Sequence, residues 1–192
     1  KAQYFLGVIY NSDKYVLHDI NKSINYLTLA ANNDYSKAYY ELGKIYFSGE
    51  FIKRDISKAI YYCIKAADKN DVNALYSLGN LYSTGKYHEK DISRAIHYYK
   101  LAANQNHLIA QYALGNIYFT KDDIFYDIDK AIYYYSLAAN QNHSRSQFIL
   151  GSIYHFYKND FSEAIHYYSL AANQNDKDAQ CALGMMYHME EY

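Results

Sequence analysis

The amino-acid sequence predicts an all-α protein, a right-handed superhelical α/α solenoid of about five 36-residue helix-turn-helix repeats plus a sixth first helix. Three observations predict it. The pair Leu-Gly returns at 6–7, 42–43, 78–79, 114–115, 150–151 and 183–184, at intervals of 36, 36, 36, 36 and 33 residues. The pair Ala-Ala returns at 30–31, 66–67, 102–103, 138–139 and 171–172, spaced 36, 36, 36 and 33. Between these marks each unit carries two runs with the apolar spacing of a helix. A fixed period of this length is the signature of stacked supersecondary units. The repeats run roughly 1–34, 35–70, 71–106, 107–142 and 143–175, with a partial unit at 176–192, and form a single solenoid domain. The sequence opens inside a repeat, without an initiator Met or a signal-peptide layout, so the chain reads as a segment of something longer.

The first helix of each unit shows its buried stripe in Ala38, Leu42, Ile45 and Tyr46, at i, i+4, i+7 and i+8. Gly43 follows Leu42, and a glycine follows the Leu in all six copies. A mid-helix Gly costs about 1 kcal/mol against Ala, so its return implies that another helix must come close there. The connecting loop tolerates length changes. The three missing residues of the fifth unit fall in it, because Tyr154 to Ala164 spans 10 positions where Tyr118 to Ala131 spans 13.

The second helix opens at Asp19, Asp55, Asp91, Asp127 and Asp160. Asp is a good N-cap, since its carboxylate accepts from free N–H groups of the first turn. The run is then apolar and aromatic, as in DISRAIHYYKLAA, and closes on the small Ala pair. Asn70, Asn106, Asn142 and Asn175 stand three residues after the second Ala, and Asp34 holds that place in the first unit. A helix followed by a short turn needs a residue in the left-handed region, and Asn is the best choice after Gly. The repeated Asn-Gln-Asn therefore reads as a helix stop.

These residues resemble the Sel-1-like repeat family, a relative of the tetratricopeptide repeat. Its pattern runs roughly Ala-x-x-x-Leu-Gly-x-x-Tyr, a Gly-containing turn, Asp-x-x-Lys-Ala, an aromatic pair and Ala-Ala. ALYSLGNLYSTG at 74–85 followed by DISRAIHYYKLAANQN at 91–106 fits nearly throughout, and the resemblance covers essentially the whole chain. It departs in the turn, where Gly49 and Gly85 survive but Asp13, Lys121 and Tyr157 stand elsewhere. The usual Trp of the second helix is Tyr26, Tyr62, Tyr98, Tyr134 and Tyr167. The departures bear on loop shapes and not on the fold that the resemblance implies, an α-solenoid.

Composition excludes several classes. A formal net charge of −1, from 19 basic and 20 acidic residues, leaves no basic footprint for nucleic acid. No stretch approaches the length of a transmembrane helix, so membrane insertion is not expected. Cys63 and Cys181 are far apart and read as small residues of packed helices, not as a disulfide framework. A cytoplasmic location is the expectation. No His-Glu-x-x-His, Cys-x-x-Cys, phosphate loop or nucleophile–base set is present, so no enzyme, cofactor or metal is expected. His97 and His166 recur in second helices, and His107 and His143 recur just after the turn Asn. His155 and His188 share one register position but make a poor zinc site without a third ligand.

Stacked units of this kind offer a concave surface lined by first helices. The stripe opposite the buried Leu lies at offsets −5, −2, +2 and +5 from it. In the second unit it holds Lys37, Tyr40, Lys44 and Phe47; in the third, Asn73, Tyr76, Asn80 and Ser83; in the fourth, Ile109, Tyr112, Asn116 and Phe119. Aromatics recur at one position as Tyr4, Tyr40, Tyr76, Tyr112 and Phe148. Side-chain amides can pair with a peptide backbone, and Tyr supplies apolar area with a polar tip. The expected partner-binding residues are Tyr40, Lys44, Tyr76, Asn80, Tyr112, Asn116, Phe119 and Phe148, set against a purely packing role for the aromatic stripe. The expected function is a scaffold or adaptor that binds a protein or peptide, or joins subunits of a multi-protein complex. The alternative is the interaction arm of a longer multidomain enzyme, such as a kinase or ubiquitin-ligase component.

Overall fold

The computed structural model describes residues 1–12, 18–87, 89–121 and 124–190. Asp13, expected in the first turn, lies outside the described residues, as do residues 191–192 of the sixth first helix. Helices α1 (Ala2–Tyr10) and α2 (Ile20–Asn32) form the first unit, and α3 (Ser36–Ser48) and α4 (Ile56–Ala67) the second. The third is α5 (Val72–Thr84) and α6 (Ile92–Ala103), and the fourth α7 (Leu108–Phe119) and α8 (Ile128–Ala139). The fifth is α9 (Ser144–Ile153), a π-helical turn (Tyr154–Lys158) and α10 (Phe161–Ala172), and α11 (Lys177–Glu190) begins a sixth. No strand occurs among the described residues. The chain forms two compact units, Lys1–Gln105 and Asn106–Tyr192. Within each, every helix packs on the one before and the one after it. No helix among the described residues is long and apolar enough to cross a membrane.

Each second helix starts as its sequence dictates. The carboxylates of Asp19, Asp55, Asp91, Asp127 and Asp160 accept from the backbone N–H three residues on, at 2.9 to 3.1 Å. Such a cap is worth about 1 kcal/mol. The same Asp donates its own N–H to a first-helix Tyr carbonyl: Asp19 to Tyr10, Asp55 to Tyr46, Asp91 to Tyr82, Asp127 to Tyr118 and Asp160 to Tyr154. The first four bonds span nine residues and the last spans six, so the deletion lies wholly inside the loop that this bond closes.

The Tyr that supplies that carbonyl also stacks on the second helix. Tyr10–Tyr26, Tyr46–Tyr62, Tyr82–Tyr98, Tyr118–Tyr134 and Tyr154–Tyr167 lie 5.6 to 5.8 Å apart with planes within 13°. A cation covers the first-helix ring in four units: Lys22 over Tyr10, Lys58 over Tyr46, Arg94 over Tyr82 and Lys130 over Tyr118. Each of these cations also pairs with the N-cap Asp of its helix. The fifth unit has Glu163 at that position.

The second helices stop at left-handed residues, Asp34, Asn70, Asn106, Asn142 and Asn175, with φ of 59°, 59°, 63°, 61° and 63°. The Gln or Lys one residue before three of them reaches back to the corresponding stop of the preceding unit. Lys69 pairs with Asp34 at 2.9 Å, Gln105 donates to the Asn70 carbonyl at 3.3 Å, and Gln141 donates to the Asn106 carbonyl at 3.3 Å. The Asn-Gln-Asn motif is thus a stop and a clasp between repeats.

The turn after the first helix departs from expectation in two units. Gly49 and Gly85 close α3 and α5 with φ of 66° and 65°. In the fifth unit the left-handed residue is Asn159, with φ of 52°, not Tyr157. The π-helical turn carries the chain through Tyr157 before it reverses. In the fourth unit α7 ends at Thr120 in extended backbone, φ −76° and ψ 106°, and needs no glycine.

Candidate partner-binding face

Two register positions face each other where the first and second helices of a unit cross. The first-helix position holds Val8, Lys44, Asn80, Asn116 and Ser152. The second-helix position holds Leu27, Cys63, Tyr99, Tyr135 and Tyr168. The Leu-Gly glycine explains the contact. A Cβ on Gly79 would lie 2.4 Å from the Tyr99 ring, and one on Gly115 or Gly151 would lie 2.6 Å from the Tyr135 or Tyr168 ring. The glycine therefore makes room for an aromatic ring, not for backbone alone.

The two positions vary together. The Tyr99 hydroxyl donates to Asn80 Oδ1 at 2.7 Å and lies 3.0 Å from Ser83 Oγ. The Tyr135 hydroxyl donates to Asn116 Oδ1 at 2.8 Å, and that of Tyr168 to Ser152 Oγ at 3.2 Å. Burial pushes all three phenols above their ordinary value, so they remain hydroxyl donors. In the first unit both positions are apolar, and Leu27 and Val8 belong to one core cluster. The second unit has neither arrangement, because Cys63 has no ring and Lys44 has no acceptor.

The expected partner-binding residues divide between the compact units. In Lys1–Gln105, Tyr40 and Tyr76 are half-buried, Lys44 is exposed and Asn80 is half-buried. The Lys44 ammonium lies 5.3 Å from the Tyr40 ring centre and pairs with Glu41 at 2.8 Å. The Tyr76 ring tilts against Tyr99 at 6.0 Å. In Asn106–Tyr192, Tyr112 tilts against Tyr135 at 6.0 Å and His143 at 4.8 Å. Phe119 meets Tyr135 and Tyr157 edge-on, and Phe148 lies against Tyr168 with Arg145 over its face. Asn116 is exposed, with its side-chain carbonyl oxygen engaged by Tyr135.

A groove of about 570 Å³ opens where the second unit lacks its ring. Tyr40, Lys44, Phe47, Cys63, Asn80 and Leu81 are among its lining residues, with Lys86 and Tyr87 at the end of α5. Phe47 and Tyr87, both in the lining, meet edge-on at 5.4 Å. Burial pushes the Cys63 thiol up to about 11, which keeps it largely neutral and slows it as a nucleophile near neutral pH. Cys63, Lys86 and Tyr87 were not among the expected residues. The signal was present: Cys63 stands 36 residues before Tyr99 and breaks its column.

Three of the histidines serve local structure. His107 and His143 are N-caps of α7 and α9, accepting through Nδ1 from the backbone N–H of Ala110 at 3.2 Å and Ser146 at 3.3 Å. Asp71 and Asp176 do the same for α5 and α11. His155 stacks on Phe156 at 4.2 Å. Among the described residues no group of three His, Cys, Asp or Glu side chains could hold a metal ion. Cys181 is exposed, unlike the expected packed cysteine, because no second helix covers α11 among the described residues.

The model of the Sel1 repeat matches residues 1–35, 36–71, 72–107, 108–143, 144–176 and 177–191. No curated protein matches the chain significantly. Among solved structures, a Sel1 repeat protein from Oxalobacter formigenes superposes with a TM-score of 0.79 at 28% identity, covering 96% of this chain and 77% of that one. The protective antigen c5321 of uropathogenic Escherichia coli, which displays the same repeat fold, gives 0.54 at 25% identity, covering 98% and 49%. The immunity protein Pa5087 from Pseudomonas aeruginosa gives 0.52 at 21% identity over 93% and 67%, a likeness of fold alone.

Proposed function

The chain belongs to the Sel1 repeat family, a family of repeat scaffolds that bind protein partners, and we propose that it is an adaptor holding a peptide segment of a partner on its first-helix face. The observation that carries this reading is the groove beside α3 and α5. Three of the expected residues, Tyr40, Lys44 and Asn80, line it. Its volume lies in the usual range for binding clefts, about 300–1,000 Å³. Half-buried aromatics next to exposed polar side chains supply contact area at low entropy cost. The remaining expected residues, Tyr76, Tyr112, Asn116, Phe119 and Phe148, extend the same register position and its neighbours along each compact unit. A binding role rather than a catalytic one is supported by the uses already found for the histidines as caps and ring contacts.

Affinity capture with mass spectrometry tests the reading. Tagged wild type and a Tyr40→Ala, Lys44→Glu variant are compared at matched thermal stability. A specific partner should be retained by the wild type and lost by the variant. An identical set of captured proteins would contradict the proposal.

A further inference from the structure

We infer that the groove at Cys63 is an anchor pocket for a large apolar side chain, flanked by a carboxylate, on the bound peptide; this rests on the peptide-binding reading above. The space has a defined chemical shape because other units fill it themselves. In the third, fourth and fifth units a Tyr ring lies against the glycine of the Leu-Gly pair, with its hydroxyl bonded to the first helix. In the second unit the side chain ends at the Cys63 sulfur, which a Cβ on Gly43 would meet at 2.9 Å. The rest of the ring's place is open to solvent and lined by Ile56, Ala59, Ile60, Leu78 and Leu81. An apolar group entering from outside takes the place that the chain's own tyrosine takes elsewhere.

Charge selects what stands beside that group. Where the closed units place an amide or hydroxyl acceptor, the second unit places the Lys44 ammonium. Lys86 lines the same groove, and among the described residues no Asp or Glu lines it. The rim is therefore cationic and complements a carboxylate, from Asp, Glu or a chain terminus. Lys44 already pairs with Glu41, but its side chain is 52% exposed. The Glu41 side chain is only 17% exposed, and an ammonium carries three donors, so a peptide carboxylate joins Glu41 on Lys44 instead of displacing it. The aromatic pair Phe47–Tyr87 lines the groove and adds aromatic surface for an incoming ring.

Selection of short random peptides displayed on phage against the immobilised chain tests this. Enriched peptides should carry Leu, Phe, Tyr or Trp next to Asp or Glu. They are then titrated against two variants. Cys63→Tyr with Lys44→Asn rebuilds in the second unit the pair found in the third and fourth. It should melt at or above the wild-type temperature and bind the peptides about tenfold or more weakly, since a buried large side chain supplies at least that factor. Lys44→Glu changes an exposed residue and should weaken the same peptides while the fold stays intact. Unchanged affinity in a folded double variant would overturn the pocket. If the double variant does not fold, unchanged affinity for Lys44→Glu overturns it instead. Enriched peptides that ignore both variants but lose binding on Tyr112→Ala leave the peptide-binding reading standing and remove the pocket. No enrichment by the wild type would remove both.

Discussion

At Asn106 a left-handed backbone and a side-chain acceptor coincide. Its φ is 63°, and its Oδ1 accepts from Gln111 and Gln141, both at 3.2 Å. Asn142 shares the backbone conformation, while the Gln of the following unit, Gln174, bonds Gln147 instead. Glycine relieves the backbone at either site but removes the acceptor at Asn106. Asn106→Gly should therefore cost about 1 kcal/mol more than Asn142→Gly, the net worth of a protein hydrogen bond. Denaturant midpoints compare them, and equal values would mean that the bonds to Asn106 Oδ1 add nothing to the clasp. The backbone role was legible because Asn at a fixed distance from Ala-Ala has a known conformational use. The clasp was not, because it depends on which unit a Gln side chain turns toward. His107 and His143 set a second test. Burial lowers both below the ordinary value near 6.5, and each accepts through Nδ1, which requires the neutral ring. Their stabilisation is complete above the unfolded value and is lost as pH falls from there through the lower folded values. His107→Asp with His143→Asp, the residue that caps α5 and α11, should flatten the decline of Tm between about pH 7 and pH 5. A variant that keeps the wild-type slope would contradict the capping role.

The helix pair shows why the same dipeptide behaves differently along the chain. Gly115 faces the buried Tyr135 ring, and a Cβ there would lie 2.6 Å from two ring carbons. Gly184 on α11 has nothing within 4 Å of that position. Gly115→Ala should destabilise by about 1–3 kcal/mol through overpacking. Gly184→Ala should stabilise by up to about 1 kcal/mol through helix propensity. Thermal melts with the same sign for both would contradict the assigned register. Sequence periodicity identified the glycine as a close-approach site, since no other pressure returns a helix breaker six times. It left the approaching group unnamed. Pairing Asn80 with Tyr99 requires knowing that positions 19 residues apart meet across the loop, and that follows from the crossing geometry, not from either helix alone. Asn80 and Asn116 were accordingly expected to face a peptide with whole amides, whereas their carbonyl oxygens are engaged within the unit.

Across the whole molecule, repetition accounts for most of the composition. Five stacked pairs use ten of the 27 tyrosines, so more than a third of the Tyr content serves one repeated contact. Repetition also makes an exception informative. One position reads Leu, Cys, Tyr, Tyr, Tyr through the five units, and its facing position reads Val, Lys, Asn, Asn, Ser. Leu with Val and Tyr with Asn or Ser each close the crossing; Cys with Lys leaves it open. That break was visible in the alignment of the repeats, but its consequence depends on how much space a missing ring leaves, which only packing reveals. The central claim is that this open crossing receives the partner. Its most direct test is the alkylation rate of Cys63 by a small maleimide, measured in a Cys181→Ser background so that one thiol reports. A saturating selected peptide should slow that rate about tenfold or more, as expected for a thiol covered in the complex. An unchanged rate at saturation would place the partner elsewhere and contradict the account.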